Sequence, residues 1–338
     1  MAMNRQVTLR SRPAGIAQAE HFEIRSVPVE RPAPGQILVQ NLYLSVEPAM
    51  RGWIADAGNY GDQLPLGSVM RSLASGRIIE SNHEHFRAGE YVTGWFGWQD
   101  FACVAADQVL QKTGESEMRA SLGILGINGV TAYLALTLVG QPRAGETVLV
   151  SSAAGAVGSA AGQIANILGC RTVGIAGGAD KVRRCVEEFG FEAAIDYRGQ
   201  DVAAALERLA PQGIDVYFDN VSGPISDAAM PHLAPGGRVV VCGTASLDRW
   251  TPWPDGPRVE RHLLVKRARM EGFVIFDHMA RYADAVAQLR EWIEQGRLTW
   301  REDILDGIVC CPDALAGLYR GENNGKRLIR LDQLGANA

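Results

Sequence analysis

The sequence predicts an α/β chain in which a doubly wound parallel-sheet domain is inserted between two parts of a mainly-β domain. Three observations carry that expectation. Residues 5–120 hold short apolar runs split by Pro, Gly and Asp; from residue 146 apolar strands alternate with helix-length segments; and the last run, Lys326–Leu331, returns to the texture of the beginning. Alternation at this spacing builds βαβ units, hence a parallel sheet with helices on both faces. The implied spans are 1–130 for the first part of the β-rich domain, 131–303 for the inserted domain and 304–338 for the return.

In the first part, Gly35–Gln40, Gly76–Glu80, Glu90–Gly94 and Phe101–Val104 are strand-sized runs bounded by turn formers. An uncharged segment follows, with a helix expected around Thr131–Val139. Thr147–Ser151 is a wholly apolar strand leading through Ala153–Gly158 into a helix over Ser159–Leu168. Strands at Arg171–Ala176, Ala193–Asp196, Asp215–Asp219 and Arg238–Cys242 alternate with helices at Lys181–Phe189, Asp201–Leu209 and Ser222–Leu233. A strand at Met270–Phe276 and an amphipathic helix at Arg281–Glu294 come next. The tail offers a short strand near Gly307–Cys310, a helix at Pro312–Arg320 and the final strand.

Composition narrows the function classes. A net charge of −5 over 338 residues argues against a nucleic-acid binder, which needs a net basic face. The six cysteines are scattered with no C-x-x-C, which points to free thiols and a cytoplasmic protein. The first residues lack the apolar core of a signal peptide. Ser121–Pro142 and Thr147–Cys170 carry no charge but are broken by Gly and by Asn or Gln, so buried elements are expected there and not membrane spans. His83-x-His85 has no further ligand nearby, so no metal site is expected. No G-x-S-x-G elbow follows a strand, which excludes an α/β-hydrolase.

The strongest local signal is the glycine-rich turn after Thr147–Ser151. Gly155 permits a tight turn, Gly158 lets a pyrophosphate approach the backbone, and Gly162 lets the helix pack closely on the strand. Free N–H groups at the helix start would hold the diphosphate. The first glycine of G-x-G-x-x-G is replaced by Ala153. The second strand ends in Gly177-Gly178 with no acidic residue before Asp180, leaving room for a 2′-phosphate that Lys181 could pair with. Arg183, Arg184 and Tyr197 are further candidates, and Asp180, the counter-signal, could cap the following helix. NADP(H) is the cofactor expected.

These features join Tyr43–Gly52 (YLSVEPAMRG), Gly129–Tyr133 (GVTAY), Ala154–Gln163 (AGAVGSAAGQ), Ala194–Arg198 (AIDYR), Tyr217–Val221 (YFDNV), Arg269–Phe273 (RMEGF) and Asn323–Lys326 (NNGK). Together they resemble the zinc-free branch of the medium-chain dehydrogenase/reductase superfamily, that of leukotriene B4 12-hydroxydehydrogenase/prostaglandin reductase, curcumin reductase and plant double-bond reductases. The resemblance covers nearly the whole chain and implies a Rossmann domain inserted in a GroES-like catalytic domain. It implies that Ala154, Gly155, Ala156 and Val157 contact the diphosphate and that Lys181 and Tyr197 hold the 2′-phosphate. Asn220 would line the cofactor cleft, Cys242, Gly243, Phe273 and Ile275 would pass beside the nicotinamide, and Asn323 would reach the cofactor from the tail. The implied reaction is NADPH-dependent reduction of the C=C bond of α,β-unsaturated ketones or aldehydes, with hydride to the β carbon and a proton to the α carbon. A homodimer is implied as well.

Two departures stand out. Ala49 and Val265 occupy places where the family carries tyrosines. Hydride transfer needs no protein nucleophile, but it does need donors where the enolate oxygen develops charge. Tyr60 and Asn128 are the candidates left for that role. An apolar pocket would suit Trp53, Tyr60, Trp95, Trp98, Trp250, Trp253 and Phe276 and a small hydrophobic, even aromatic, enone, and the enlarged space at Ala49 would admit a bulky aromatic substrate. Three alternatives stay open: a quinone or carbonyl reductase, a zinc-free alcohol dehydrogenase, and a non-catalytic NADPH-binding protein.

Overall fold

The structure, a computed structural model, describes residues 2–332 apart from 57–59, 248 and 251. The outer ends of the spans 1–130 and 304–338, residues 1 and 333–338, therefore lie outside the described residues. The chain begins β1 (Met3–Leu9), β2 (Phe22–Pro28), β3 (Gln36–Ser45), α1 (Met50–Ile54), β4 (Ala74–Ser81), β5 (Tyr91–Gly94), β6 (Phe101–Ala105), β7 (Val109–Thr113). It continues α2 (Ile127–Leu134), β8 (Thr147–Ser151), α3 (Ala156–Ile167), β9 (Arg171–Ala176), α4 (Ala179–Glu187), β10 (Ala193–Asp196), α5 (Val202–Leu209). Then follow β11 (Ile214–Asp219), α6 (Gly223–Ala229), β12 (Leu233–Val241), α7 (Glu260–Lys266), β13 (Arg269–Gly272) and α8 (Tyr282–Glu294). The tail is β14 (Glu302–Asp306), α9 (Cys311–Arg320) and β15 (Lys326–Arg330).

Two compact units result: Met1–Leu122 with Glu302–Ala338, and Gly123–Arg301. The divisions fall before residues 130 and 303 for local reasons. Gly129 and Val130 donate to the Gly123 and Gly126 carbonyls, which ties 123–126 to α2. Glu302 already pairs with Lys326 in the β14–β15 ladder.

In the first unit, β3 is the hub. It pairs antiparallel with β4 along one edge and with β6 and β15 along the other, and its Ile37, Val39 and Leu44 are buried. The tail thus returns to the β-rich unit, with β14 parallel to β15. At Gly76 a Cβ would lie 2.1 Å from the Gln40 carbonyl oxygen, so the β3–β4 ladder requires glycine there. The expected strand at Gly307–Cys310 is absent. Gly307, at φ +88°, turns the chain off β14, and Ile308–Cys310 is a 3₁₀ turn feeding α9.

In the second unit the described strands form one parallel sheet ordered β10-β9-β8-β11-β12-β13. Counted from β8, the order runs outwards in both directions and reverses between β8 and β11, the doubly wound arrangement with its switch point there. Leu149, Val173, Ile195, Tyr217 and Val239 fill one core face. Several elements differ from expectation; the strand expected at Arg238–Cys242 begins already at Leu233. The helix around Thr131–Val139 starts at Ile127 and ends as a π-helical turn, Ala135–Gly140, where the Thr137 hydroxyl donates to the Tyr133 carbonyl (2.7 Å). The helix from Ser222 stops at Ala229, and Met230–His232 tightens to 3₁₀ around Pro231. The strand expected over Met270–Phe276 ends at Gly272: it is an edge strand, exposed at all four residues, and Ile275–Arg281 coils into 3₁₀. None of the described helices is long and apolar enough to cross a membrane.

Candidate active site

The glycine turn leaves β8 through Ser152, a non-glycine residue at φ +53°. Gly155 N–H donates to the Ser152 carbonyl (2.9 Å), and Gly155 is the N-cap of α3. A Cβ on Gly158 would stand 2.2 Å from the Ser152 carbonyl oxygen, so this glycine serves the turn itself as well as any ligand. A Cβ on Gly162 would strike the Phe191 ring at 1.9 Å, so the close packing expected of α3 on its strand is made through that ring. The first N–H groups of α3, those of Ala156, Val157 and Gly158, have no acceptor inside the helix and carry the positive end of its dipole. A diphosphate fits this cradle.

One strand over, Gly177 and Gly178 follow β9. Tyr197 lies across Gly177 so closely that a Cβ would meet its hydroxyl at 2.8 Å, so the space at this glycine belongs to the tyrosine. Gly178, at φ +98°, donates its N–H to Asp196 Oδ1 (2.8 Å), which also accepts from Arg198 N–H (3.0 Å). These backbone donors, Gly178 first, hold the Asp196 carboxyl below its usual range. The Arg198 guanidinium lies 5.9 Å from the Tyr197 ring centroid. Lys181 sits in the first turn of α4, partly buried. Asp180 does not cap the helix; it pairs with Arg183 on the exposed side of α4 (2.8 Å).

At the switch point, buried Asp219 gathers the strand ends. Its Oδ1 accepts from the Ser151 and Tyr217 hydroxyls and from the Val221 and Ser222 N–H groups, all at 3.0 Å, and Ser226 donates to Oδ2. Burial, then the nearby Asp219 charge, pushes the Tyr217 phenol well up. Asn220 is clamped to β8: its Nδ2 donates to the Ser151 carbonyl (2.7 Å) and its N–H to the Ser151 hydroxyl (2.8 Å). Cys242 and Gly243 both donate N–H to the Asp219 carbonyl (2.8 and 3.1 Å). A Cβ on Gly243 would be 2.7 Å from the Asn220 oxygen. Burial, then Asp219, pushes the Cys242 thiol up to about 12. Phe273 N–H donates to Val241, and its ring stacks on His278 with centroids 4.8 Å apart; Ile275, buried, opens the next turn. Asn220 is thus anchored to β8, Cys242 and Gly243 to the end of β11, and Phe273 to the end of β12. Asn128 is buried on α2, which packs on α3. Asp219, Ser151 and Arg198 were not singled out from sequence, although two of them lie in segments that carried the resemblance.

The remaining candidates belong to the β-rich unit. Tyr60 is 55% exposed, and Asn323 turns its Nδ2 onto the Gly325 carbonyl (2.9 Å). Trp53 and Trp98 are buried in the core, whereas Trp253 of the other unit is 69% exposed. Val265, also of the other unit, is on α7, half exposed. Sequence reasoning passed over two further groups here. Buried Lys326 donates to Glu47 Oε1 (3.0 Å), Ser45 Oγ (2.6 Å) and the Val46 carbonyl, joining the EPAMRG and NNGK segments. Buried Arg51 lies under the Tyr319 ring, 5.5 Å from its centroid. Among the described residues, no three His, Cys, Asp or Glu gather as a metal site.

Comparison with known proteins gives the chain its family. Residues 5–112 match the model described as the N-terminal domain of oxidoreductase, and residues 156–292 the model described as zinc-binding dehydrogenase. The chain is 38% identical to NADPH-dependent curcumin reductase of Escherichia coli (strain K12), over 97% of each chain. It is 36% identical to the 2-alkenal reductase (NADP(+)-dependent) of Nicotiana tabacum, over 98% of each. The crystal structure of CurA in complex with NADPH from Vibrio vulnificus superposes with a TM-score of 0.93 at 38% identity, covering 97% of this chain and 99% of that one. The chain belongs to the zinc-free medium-chain dehydrogenase/reductase family of NADP-dependent oxidoreductases.

Proposed function

We propose that the chain reduces the C=C bond of α,β-unsaturated ketones or aldehydes with NADPH. The observation that carries this is the combination of a diphosphate cradle at the switch point with a lysine and tyrosine, and no free carboxylate, beyond the second strand. Bound NADPH supplies the hydride. Ala154, Gly155, Ala156, Val157 and Gly158 receive the diphosphate, and Lys181 and Tyr197, with Arg198 on the tyrosine ring, take the 2′-phosphate. Asn220, Cys242, Gly243, Phe273 and Ile275 shape the nicotinamide half, with Asn323 contributing from the tail. Tyr60 and Asn128 serve as donors to the substrate oxygen. Relatives named for reducing curcumin and 2-alkenals support an enone substrate.

The test is NADPH oxidation against small and bulky enones and enals, with products identified. Saturated ketone or aldehyde is expected; allylic alcohol would mean carbonyl reduction instead. Lys181→Ala should weaken NADPH binding roughly 10- to 100-fold, the worth of one charge-assisted bond, and leave NADH binding unchanged. Equal losses for both cofactors would remove Lys181 from the 2′-phosphate site.

A homodimer and a cytoplasmic location complete the proposal. All six cysteines are free thiols, in keeping with a reducing compartment. The edge strand β13, which carries Met270, is exposed throughout, Leu264 of the preceding α7 is exposed as well, and an antiparallel β13–β13 pairing would be self-complementary. Light scattering should give twice the 36.5 kDa chain mass, falling to one chain in Leu264→Lys/Met270→Lys. A monomeric parent would sink the dimer.

A further inference from the structure

We propose that Tyr319, at the end of α9, donates a hydrogen bond to the carbonyl oxygen of the substrate, with Arg51 as the positioning residue behind it; this rests on the enone-reductase assignment above. The segment Glu47–Gly52 carries no phenol, since Ala49 stands at its centre. The tail brings one to the same spot. The Tyr319 hydroxyl donates to the carbonyl of Pro48, the residue before Ala49, at 2.8 Å, and Ala49 and Tyr319 pack against the same core. Arg51, on the other side of Ala49, stacks on the Tyr319 ring and hydrogen-bonds its hydroxyl. The Tyr60 phenol is near enough to act electrostatically on Tyr319. A cation and two phenols thus share one place. The guanidinium is buried, while Tyr319 is partly and Tyr60 largely exposed, so the phenols are the groups a ligand can reach.

The scaffold holds this phenol firmly. A Cβ on Gly317 would lie 2.5 Å from the Arg327 guanidinium, so α9 sits directly on Arg327, which is itself paired with Asp303 (2.7 Å). Gly321, in the left-handed region, ends the helix two residues after Tyr319. A donor on a rigid helix costs no reorganisation when charge develops.

The chemistry needs no bond to tyrosine. As hydride reaches the β carbon, the alkene pair moves to the bond between the α carbon and the carbonyl carbon, and the carbonyl pair moves onto oxygen. The Tyr319 hydroxyl turns from the Pro48 carbonyl to that oxygen, and the Arg51 N–H on the phenol oxygen strengthens it as a donor. A proton from water then reaches the α carbon. Because the oxygen is more negative in the transition state than in the bound enone, the bond should act on kcat more than on KM.

Tyr319→Phe keeps the ring over Arg51 and removes only the hydroxyl. With an enone that the parent reduces, kcat should fall roughly 10- to 100-fold. KM should stay within about twofold, and the NADPH Kd and Tm should not move. Arg51→Lys, which keeps the charge but not the planar fork, should lose less activity than Tyr319→Phe. Parent kcat in Tyr319→Phe, or a loss matched by a fall in Tm, overturns the proposal. If the parent reduces no enone, the enone assignment falls and takes this role with it. Turnover by the parent with an unaffected Tyr319→Phe removes Tyr319 alone.

Discussion

Gly158→Ala should weaken NADPH binding by roughly 100-fold, about 2.7 kcal/mol, through one added methyl group. The methyl would meet the Ser152 carbonyl oxygen at 2.2 Å and its carbon at 2.8 Å, and both are backbone atoms that cannot swing aside. Ser152 already occupies the left-handed region at φ +53°, so the turn has little freedom left to relax. Pushing it outwards displaces the N–H groups of Ala156 and Val157 from a common aim. Fluorescence titration with NADPH measures the effect. Gly114→Ala is the control, because there an added Cβ finds its nearest atom at 3.9 Å. An alanine at 158 that binds NADPH like the parent would show that the diphosphate does not depend on this turn.

Lys326→Met should cost about 3–5 kcal/mol, because it strands the Glu47 carboxylate in the core of the β-rich unit. Lys326 makes three hydrogen bonds from a position with 4% exposure, and the Ser45 hydroxyl donates to the same Glu47 oxygen at 2.7 Å. Burial pulls the ammonium down from the usual lysine range and Glu47 works against it, so the pair is interdependent. Calorimetry should show the unfolding transition roughly 10 °C lower. Glu47→Leu/Lys326→Met, which removes both charges, should recover most of the loss. A single variant that unfolds with the parent would show that water already reaches the carboxylate.

The inserted domain was legible where local pattern decides structure. Thr147–Ser151 and Arg171–Ala176 are strands with the expected limits, since a strand covered on both faces reads as a plain apolar run, and the edge strand Ala193–Asp196 keeps its expected limits too. β14 was not legible, because EDILD carries charges at the positions where an apolar run was sought. The strand after Arg269 was overextended for the opposite reason: MEGFVIF is apolar enough, but an edge position with one neighbour does not propagate it. The glycine turn announced itself, while the Asp219 hub did not, because its donors are spread from Ser151 to Ser226. Glu47 and Lys326 are 279 residues apart, a distance over which no periodicity operates. Tyr319 and Pro48 are 271 residues apart in the chain, so no local pattern signals their contact.

The Asp219 cluster has a consequence for how the protein could change. The hub that sets the floor of the switch point is built from β8, β11 and the turn into α6. The pocket around Gly177, Lys181, Tyr197 and Arg198 is built from the far side of the sheet, after β9 and β10, with Asp196 as its own local brace. On the proposed 2′-phosphate site, cofactor preference and the bracing of the switch point rest on separate sets of atoms. Selection could retune one nucleotide for the other at the rim while the joinery beneath stayed untouched.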